Sequence, residues 1–140
     1  WDFGTMSTLF GGMRDTEQDT IAGQYGVSNG RIFATWLRSL NYLRNVCAHH
    51  SRLWNRNIVE QPRLPAASEI PWVKPFEPND HARARCFMLL RITHHLMQSI
   101  NPRSSWSERM KAHLLTFPDV AHLGLNLAGM GAPTDWEAQW

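Results

Sequence analysis

Apolar residues recur along this chain at helical spacing, and no stretch shows the apolar/polar alternation of a half-buried strand. Phe3, Met6, Leu9 and Phe10 predict a short helix over 2–13, ended by Gly11-Gly12. A second short helix fits 16–25, closed by Gly26. Ser28, Asn29 and Gly30 then offer capping groups for the strongest helical run, 31–50. At 100° per residue, Ile32, Phe33, Trp36, Leu40, Leu43 and Cys47 fall within an arc of roughly 100°. Arg38, Asn41, Asn45 and His49 lie opposite, with Arg44 at the border and His50 turned to the core side. One helix thus carries a core stripe and a separate polar stripe.

Between 51 and 79, Pro62, Pro65, Pro71, Pro75 and Pro78 exclude continuous helix and any central strand. The expectation is a long connection anchored by Trp54, Trp72 and Phe76. A second long helix is predicted over 80–100, with Cys86, Leu89, Leu90, Thr93, Leu96, Met97 and Ile100 on one face and Asn101-Pro102 as its stop. Ser105-Trp106-Ser107-Glu108 has the form of a capping box and opens a helix that ends at Pro118. The remainder, with Gly124, Gly129, Gly131 and Pro133, reads as irregular chain wrapping the body, with one last turn capped at Thr134-Asp135. The predicted class is all-α: two long helices, two or three short ones and a long Pro-rich connection. A length of 140 residues suits one core. The expected organisation is a single domain, 1–140. It comprises lead-in helices over 1–30, the two long helices and their loop over 31–100, and a C-terminal helix and tail over 101–140.

Composition narrows the function classes. A net charge of +2 excludes a uniformly basic nucleic-acid binder, so any such surface must be a local patch. Cys47 and Cys86 sit in apolar helical patterns without a Cys-x-x-Cys pair, which argues against a zinc or disulfide framework. Two buried free thiols in a reducing cytoplasm are expected. No run approaches the roughly 18–20 apolar residues of a membrane span. The His94-His95 pair offers too few ligands for a metal and reads as structural. Gly11-Gly12 lacks the strand–loop–helix setting of a phosphate loop, so neither a metal nor a cofactor is expected. The start at Trp1 reads as a piece of a longer protein that lacks an N-terminal helical region.

The candidate chemistry lies in 41–50. Cleaving RNA without a metal needs a base for the ribose 2′-OH, an acid for the leaving 5′-oxygen and a cation for the phosphorane. Histidine suits the proton transfers and arginine the phosphate. Arg44 and His49 supply both types near one helix end, and Asn45, one turn below His49, can orient the ring or a phosphate oxygen. One His is a thin endowment for acid and base together, so a composite site across a homodimer is expected. Arg38, Asn41, Arg52, Asn55 and Arg56 surround the pair as candidate RNA contacts. Spacing alone favours a blander reading: a His capping terminal carbonyls and an Arg in solvent, with the flanking arginines paired with acids such as Glu60 and Glu69 or facing water. Trp54 can stack on a base or simply anchor the loop. The 80–85 stretch is either a basic rail for RNA or an exposed helix start.

Arg44-Asn45-Val46-Cys47-Ala48-His49 resembles the signature of the HEPN ribonucleases, an Arg followed four to six residues later by a His. The wider block from Trp36 through Arg44, His49-His50 and Trp54 to Arg56 resembles the Abi-like (abortive infection) family of bacterial phage-defence proteins. Phe3-Gly4-Thr5 and Gly131-Ala132-Pro133-Thr134-Asp135-Trp136 resemble that family's opening and closing segments. The resemblance implies an all-helical HEPN-like bundle, dimerisation and RNA cleavage in abortive infection or a toxin–antitoxin system. It assigns Arg44, Asn45 and His49 to catalysis. The implied partners are RNA, as substrate or bound small RNA, a second copy, and an antitoxin or phage-borne trigger. A non-catalytic RNA- or partner-binding module remains the alternative.

Overall fold

The computed structural model describes residues 2–140. Its helices are α1 (Phe3–Gly11), α2 (Asp15–Gly23), α3 (Gly30–Ala48), α4 (Asp80–Arg83), α5 (Cys86–Ile100), α6 (Trp106–Leu115) and α7 (Trp136–Gln139). Three 3-10 segments, Pro71–Phe76, Ala121–Leu123 and Leu127–Met130, lie in the connections. No strand occurs among the described residues, so the class is all-α. The long helices are α3, with 19 residues, and α5, with 15. No described helix is long and apolar enough to cross a membrane.

Local chemistry explains the N-terminal half. Asp2 accepts the Thr5 N–H at 2.7 Å and starts α1. Asn29 accepts the Arg31 and Ile32 N–H groups at 2.9 and 3.2 Å and starts α3. Each such cap stabilises its helix by about 1 kcal/mol. α3 packs against α1, α2 and α5 and forms the spine of the core. Phe33 stacks on Tyr25 at 5.1 Å and meets Phe10 edge-on at 5.3 Å. Trp36 is fully buried, and its Nε1 donates to the Arg63 carbonyl at 2.8 Å, tying the Pro-rich connection to the core. Trp72 and Phe76 pack there as expected, Phe76 buried and Trp72 against the core.

Five expectations need correction. The buried face of α3 is broader than the apolar stripe: Thr35, Leu37, Ser39 and Val46 are buried with Phe33 and Trp36. Ser39 is tolerated there because its hydroxyl lies between the carbonyls of Thr35 and Glu60. Cys47, expected in the core, is exposed, because most of the last turn of α3 projects beyond the body. Cys86 is buried, and burial pushes its thiol up to about 11.

The predicted 80–100 helix breaks at Ala84 and Arg85. The Ala84 carbonyl accepts the Ile58 N–H at 2.8 Å, and Arg85 turns extended to donate from Nη1 to the Asn55 carbonyl at 2.8 Å. Long-range bonds to the loop after α3 therefore replace helical continuity at these two residues. Ile100, placed on the core face by periodicity, is exposed. The Ser105 capping box does not form; the Ser104 hydroxyl accepts the Trp106 N–H instead, at 3.2 Å.

Candidate functional site

The end of α3 is closed by its own backbone. His49 N–H donates to the Asn45 carbonyl at 3.1 Å, His50 N–H to Cys47 at 3.0 Å and Ser51 N–H to Val46 at 3.1 Å. The last two bonds are a Schellman closure, in which the residue after the cap turns left-handed. His50 takes that conformation, with φ 51°, where glycine is usual. His49 is therefore the C-cap rather than a helical residue. Both rings are exposed, so His50 does not point to the core as the helical wheel predicted.

Arg44 is exposed, and its Nη1 donates to the Asn45 side-chain oxygen at 2.7 Å. Arg44 and His49 are not brought together in the same way. Five residues of helix separate them by about 140° around the axis and about 7.5 Å along it. Asn45 lies between the two azimuths and is half-buried. One chain thus supplies a preformed Arg–Asn pair, with an imidazole set apart at the helix end.

The flanking residues fall on two sides. Asn41 is half-buried against the start of α1, where a side chain on Gly4 would stand 3.4 Å from the Asn41 amide oxygen. Asp2 is held below the usual carboxylate range, chiefly by the Thr5 amide, with a smaller contribution from Arg44. Arg38 and Arg52 are exposed. Asn55 is also exposed, and its carbonyl receives Arg85. Arg56 donates from Nε to the Tyr42 hydroxyl at 3.0 Å.

The acids proposed as plain partners pair with none of these arginines. The Glu69 carboxylate accepts the Ser28 N–H at 2.5 Å, and Glu60 forms no ion pair among the described residues. Among the described residues, ion pairs join Arg14 to Glu17, Arg31 to Asp15 and Arg83 to Asp80. Arg38, Arg44, Arg52 and Arg56 take part in none of them.

Other candidates resolve as structural. Trp54 donates from Nε1 to the Asn126 carbonyl at 2.9 Å and stacks on Phe117 at 6.2 Å, so it anchors the loop. In the 80–85 stretch, Arg83 pairs with Asp80, and His81 lies 3.1 Å from the Ala128 carbonyl. His95 is fixed between the Trp72 Nε1, which donates at 3.2 Å, and the Tyr25 carbonyl at 2.6 Å. That pattern requires a neutral ring with its proton on Nε2. His94 stacks on Trp140 and lies 3.3 Å from Arg91 and 3.1 Å from the Ser107 hydroxyl. Arg91 is sandwiched between the Trp72 and Trp140 rings at 5.6 and 5.5 Å, and burial lowers it to about 10. No group of three or more His, Cys, Asp or Glu able to hold a metal occurs among the described residues. An apolar cleft of about 380 Å³ opens behind α3, lined by Leu43, Leu53, Trp54, Leu90 and Phe117 among others. Arg44, Asn45 and His49 lie outside it, so the polar chemistry is on the open surface.

Residues 1–55 match the family model described as Abi-like protein. Over that stretch the chain is similar to the Abi-like family. The match takes in Phe3-Gly4-Thr5, all of α3 and the following loop as far as Asn55, and ends well before 131–136. No curated protein and no solved structure matches the chain.

Positive charge concentrates around α3 and the loop after it, mostly within the matched residues. Residues 20–59 contain Arg31, Arg38, Arg44, Arg52 and Arg56 and no Asp or Glu. With a total of +2, the rest of the chain nets −3. This charge partition is legible in the sequence, although the overall balance conceals it. Tyr42 is the residue that motif reading missed. It lies seven positions before His49 and so shares its helix face.

Proposed function

We propose that this protein is a metal-independent endoribonuclease of an abortive-infection or toxin–antitoxin system, built on a single HEPN-like domain. The observation that carries the reading is the Arg44–Asn45 contact, with an exposed His49 at the end of the same helix, in an arginine-bearing stretch without Asp or Glu that lies mostly within the residues matching the Abi-like model. The ribose 2′-oxygen attacks the adjacent phosphorus in line, and the bond to the 5′-oxygen breaks. The 2′-OH proton passes to an imidazole base, and a second imidazolium protonates the leaving oxygen. A 2′,3′-cyclic phosphate and a 5′-OH result. Arg44 steadies the charge on the phosphorane, Asn45 orients Arg44, and His49 transfers protons. Arg38, Asn41, Arg52, Asn55 and Arg56 contact the RNA strand.

Each chain places His49 at the C-cap of α3, well round the helix from Arg44, with the exposed His50 turned away in a left-handed residue. A homodimer facing two α3 ends across a two-fold axis supplies the second imidazole and an Arg at short range. An antitoxin or a phage-borne trigger would regulate such a site by covering or releasing this surface.

Labelled RNA incubated with the protein in EDTA tests the assignment. Cleavage by the wild type and its loss in His49→Ala support it. Equal cleavage by both proteins, or cleavage abolished by EDTA alone, overturns it. The separation of Arg44 from His49 also favours a second reading, a module that holds RNA without cutting. Steep loss of RNA affinity in Arg44→Ala, with no cleavage by any preparation, supports that reading instead.

A further inference from the structure

Arg56 is held at both ends of its residue. Its N–H donates to the Leu53 carbonyl at 3.1 Å, the neighbouring Asn55 carbonyl is fixed by Arg85, and Ile58 N–H is fixed by Ala84. These bonds set the backbone. The side chain is exposed and set by one further contact, Nε to the Tyr42 hydroxyl at 3.0 Å. Tyr42 is itself half-buried and packed against the core, so its hydroxyl is a firm acceptor.

The choice of nitrogen matters. A guanidinium presents one edge through Nε and another through its two terminal nitrogens, and a phosphate takes bidentate bonds from either. Tyr42 occupies the Nε position, so the terminal fork remains for an anion. No carboxylate competes for that fork among the ion pairs of the described residues. Seven residues of helix also put Tyr42 on the His49 face, about 10.5 Å along the axis.

We propose that Tyr42 is a positioning residue that holds Arg56 with its terminal fork toward a backbone phosphate of the RNA strand crossing the His49 face. This rests on the RNA-site reading and extends it with a second phosphate clamp, away from Arg44. Tyr42 touches no reacting atom; it acts through Arg56.

The test measures binding of a labelled single-stranded RNA over a series of salt concentrations. The proteins compared are the full chain, Tyr42→Phe, Arg56→Lys, Arg56→Gln, and Tyr42→Phe combined with Arg56→Gln. Thermal melting is recorded for each. Tyr42→Phe, which removes only the hydroxyl, is expected to weaken binding about three- to tenfold at low salt, as for loss of a well-oriented charge-assisted contact. Arg56→Lys keeps the charge and is expected to fall in the same range. Arg56→Gln is expected to flatten the dependence of log affinity on log salt by about 0.7, one phosphate contact on a single strand. The double variant should bind no worse than Arg56→Gln alone.

Wild-type affinity in Tyr42→Phe overturns the proposal and leaves the RNA site standing. So do losses that multiply in the double variant, or a lowered melting temperature with unchanged RNA binding, which mark the pair as a strap between loop and helix. Absence of RNA binding by the wild type at every salt concentration overturns the RNA-site reading and this extension together.

Discussion

Arg44 donates from Nη1 to the side-chain oxygen of its neighbour Asn45 at 2.7 Å. The bond uses one of five N–H donors and leaves the others available to a phosphate. Its role is orientation, since a neutral amide fixes the guanidinium without cancelling its charge.

Asn45→Ala should therefore lower the rate constant for RNA cleavage by about tenfold with little change in RNA affinity, because charge is kept and only orientation is lost. Arg44→Ala should cost about 10²–10³, as for a donor to a developing oxyanion. Asn45→Asp should fall below Asn45→Ala, since an adjacent carboxylate neutralises Arg44. Single-turnover kinetics on a labelled RNA, with affinity measured separately, distinguishes these outcomes. Equal activity in Asn45→Ala and wild type contradicts the orienting role.

A composite site makes a prediction that no single variant can test. His49→Ala chains co-refolded in excess with wild-type chains should suppress cleavage to the level of the remaining wild-type homodimer, since a heterodimer retains one His49 where the shared cleft needs two. Cleavage that stays proportional to the amount of wild-type chain, in mixtures shown to contain heterodimers, contradicts a shared cleft.

The loop bearing Arg52 and Arg56 is kept in place from behind. A Cβ on Gly129 would stand 2.5 Å from the Trp54 ring. Gly129→Ala should therefore displace Trp54 from Phe117 and the Asn126 carbonyl, costing about 1–3 kcal/mol, the range for overpacking a filled site. Denaturant unfolding checks the stability loss, and weakened RNA binding checks that the loop moves with it. A melting curve identical to wild type contradicts the close packing.

His94 and His95 set a pH dependence of stability. Both lie below their ordinary value of 6.5, mainly because burial disfavours the charged ring. Arg91 lowers both further; Glu108 opposes this for His94 and the Tyr25 carbonyl for His95. The folded chain holds fewer protons here than the unfolded chain. Their contribution is fully present above about pH 6.5 and is lost as pH falls through the lowered values. The melting temperature should drop between pH 7.5 and 5.5. His95→Gln, whose amide keeps an acceptor for Trp72 and a donor for Tyr25, should reduce that drop. A melting temperature that rises on acidification contradicts the sign.

Much of this was legible in the sequence because it is local. Asn29 as the cap of α3, the glycine end of α1 and the prolines that exclude helix after α3 all act within a few residues. The polar stripe bearing Asn41, Asn45 and His49 was readable for the same reason. What periodicity could not show depends on distant partners. The break before α5 arises from Ile58 and Asn55, which lie far off in sequence. Ser39 enters the core only because the Glu60 carbonyl comes to meet it. Cys47 has an apolar phase on the wheel, yet no element packs over it to bury it. At the site, residue types and helix face were visible, but the Tyr42–Arg56 bond required the loop to fold back on α3.

The ends left on cleaved RNA test the central claim most directly. RNA cut by the wild-type protein in EDTA should carry a 2′,3′-cyclic phosphate on one product and a 5′-OH on the other, and His49→Ala should yield neither. Products with a 3′-OH and a 5′-phosphate, or cleavage that returns only with added divalent metal, would contradict a metal-independent site built from Arg44, Asn45 and His49.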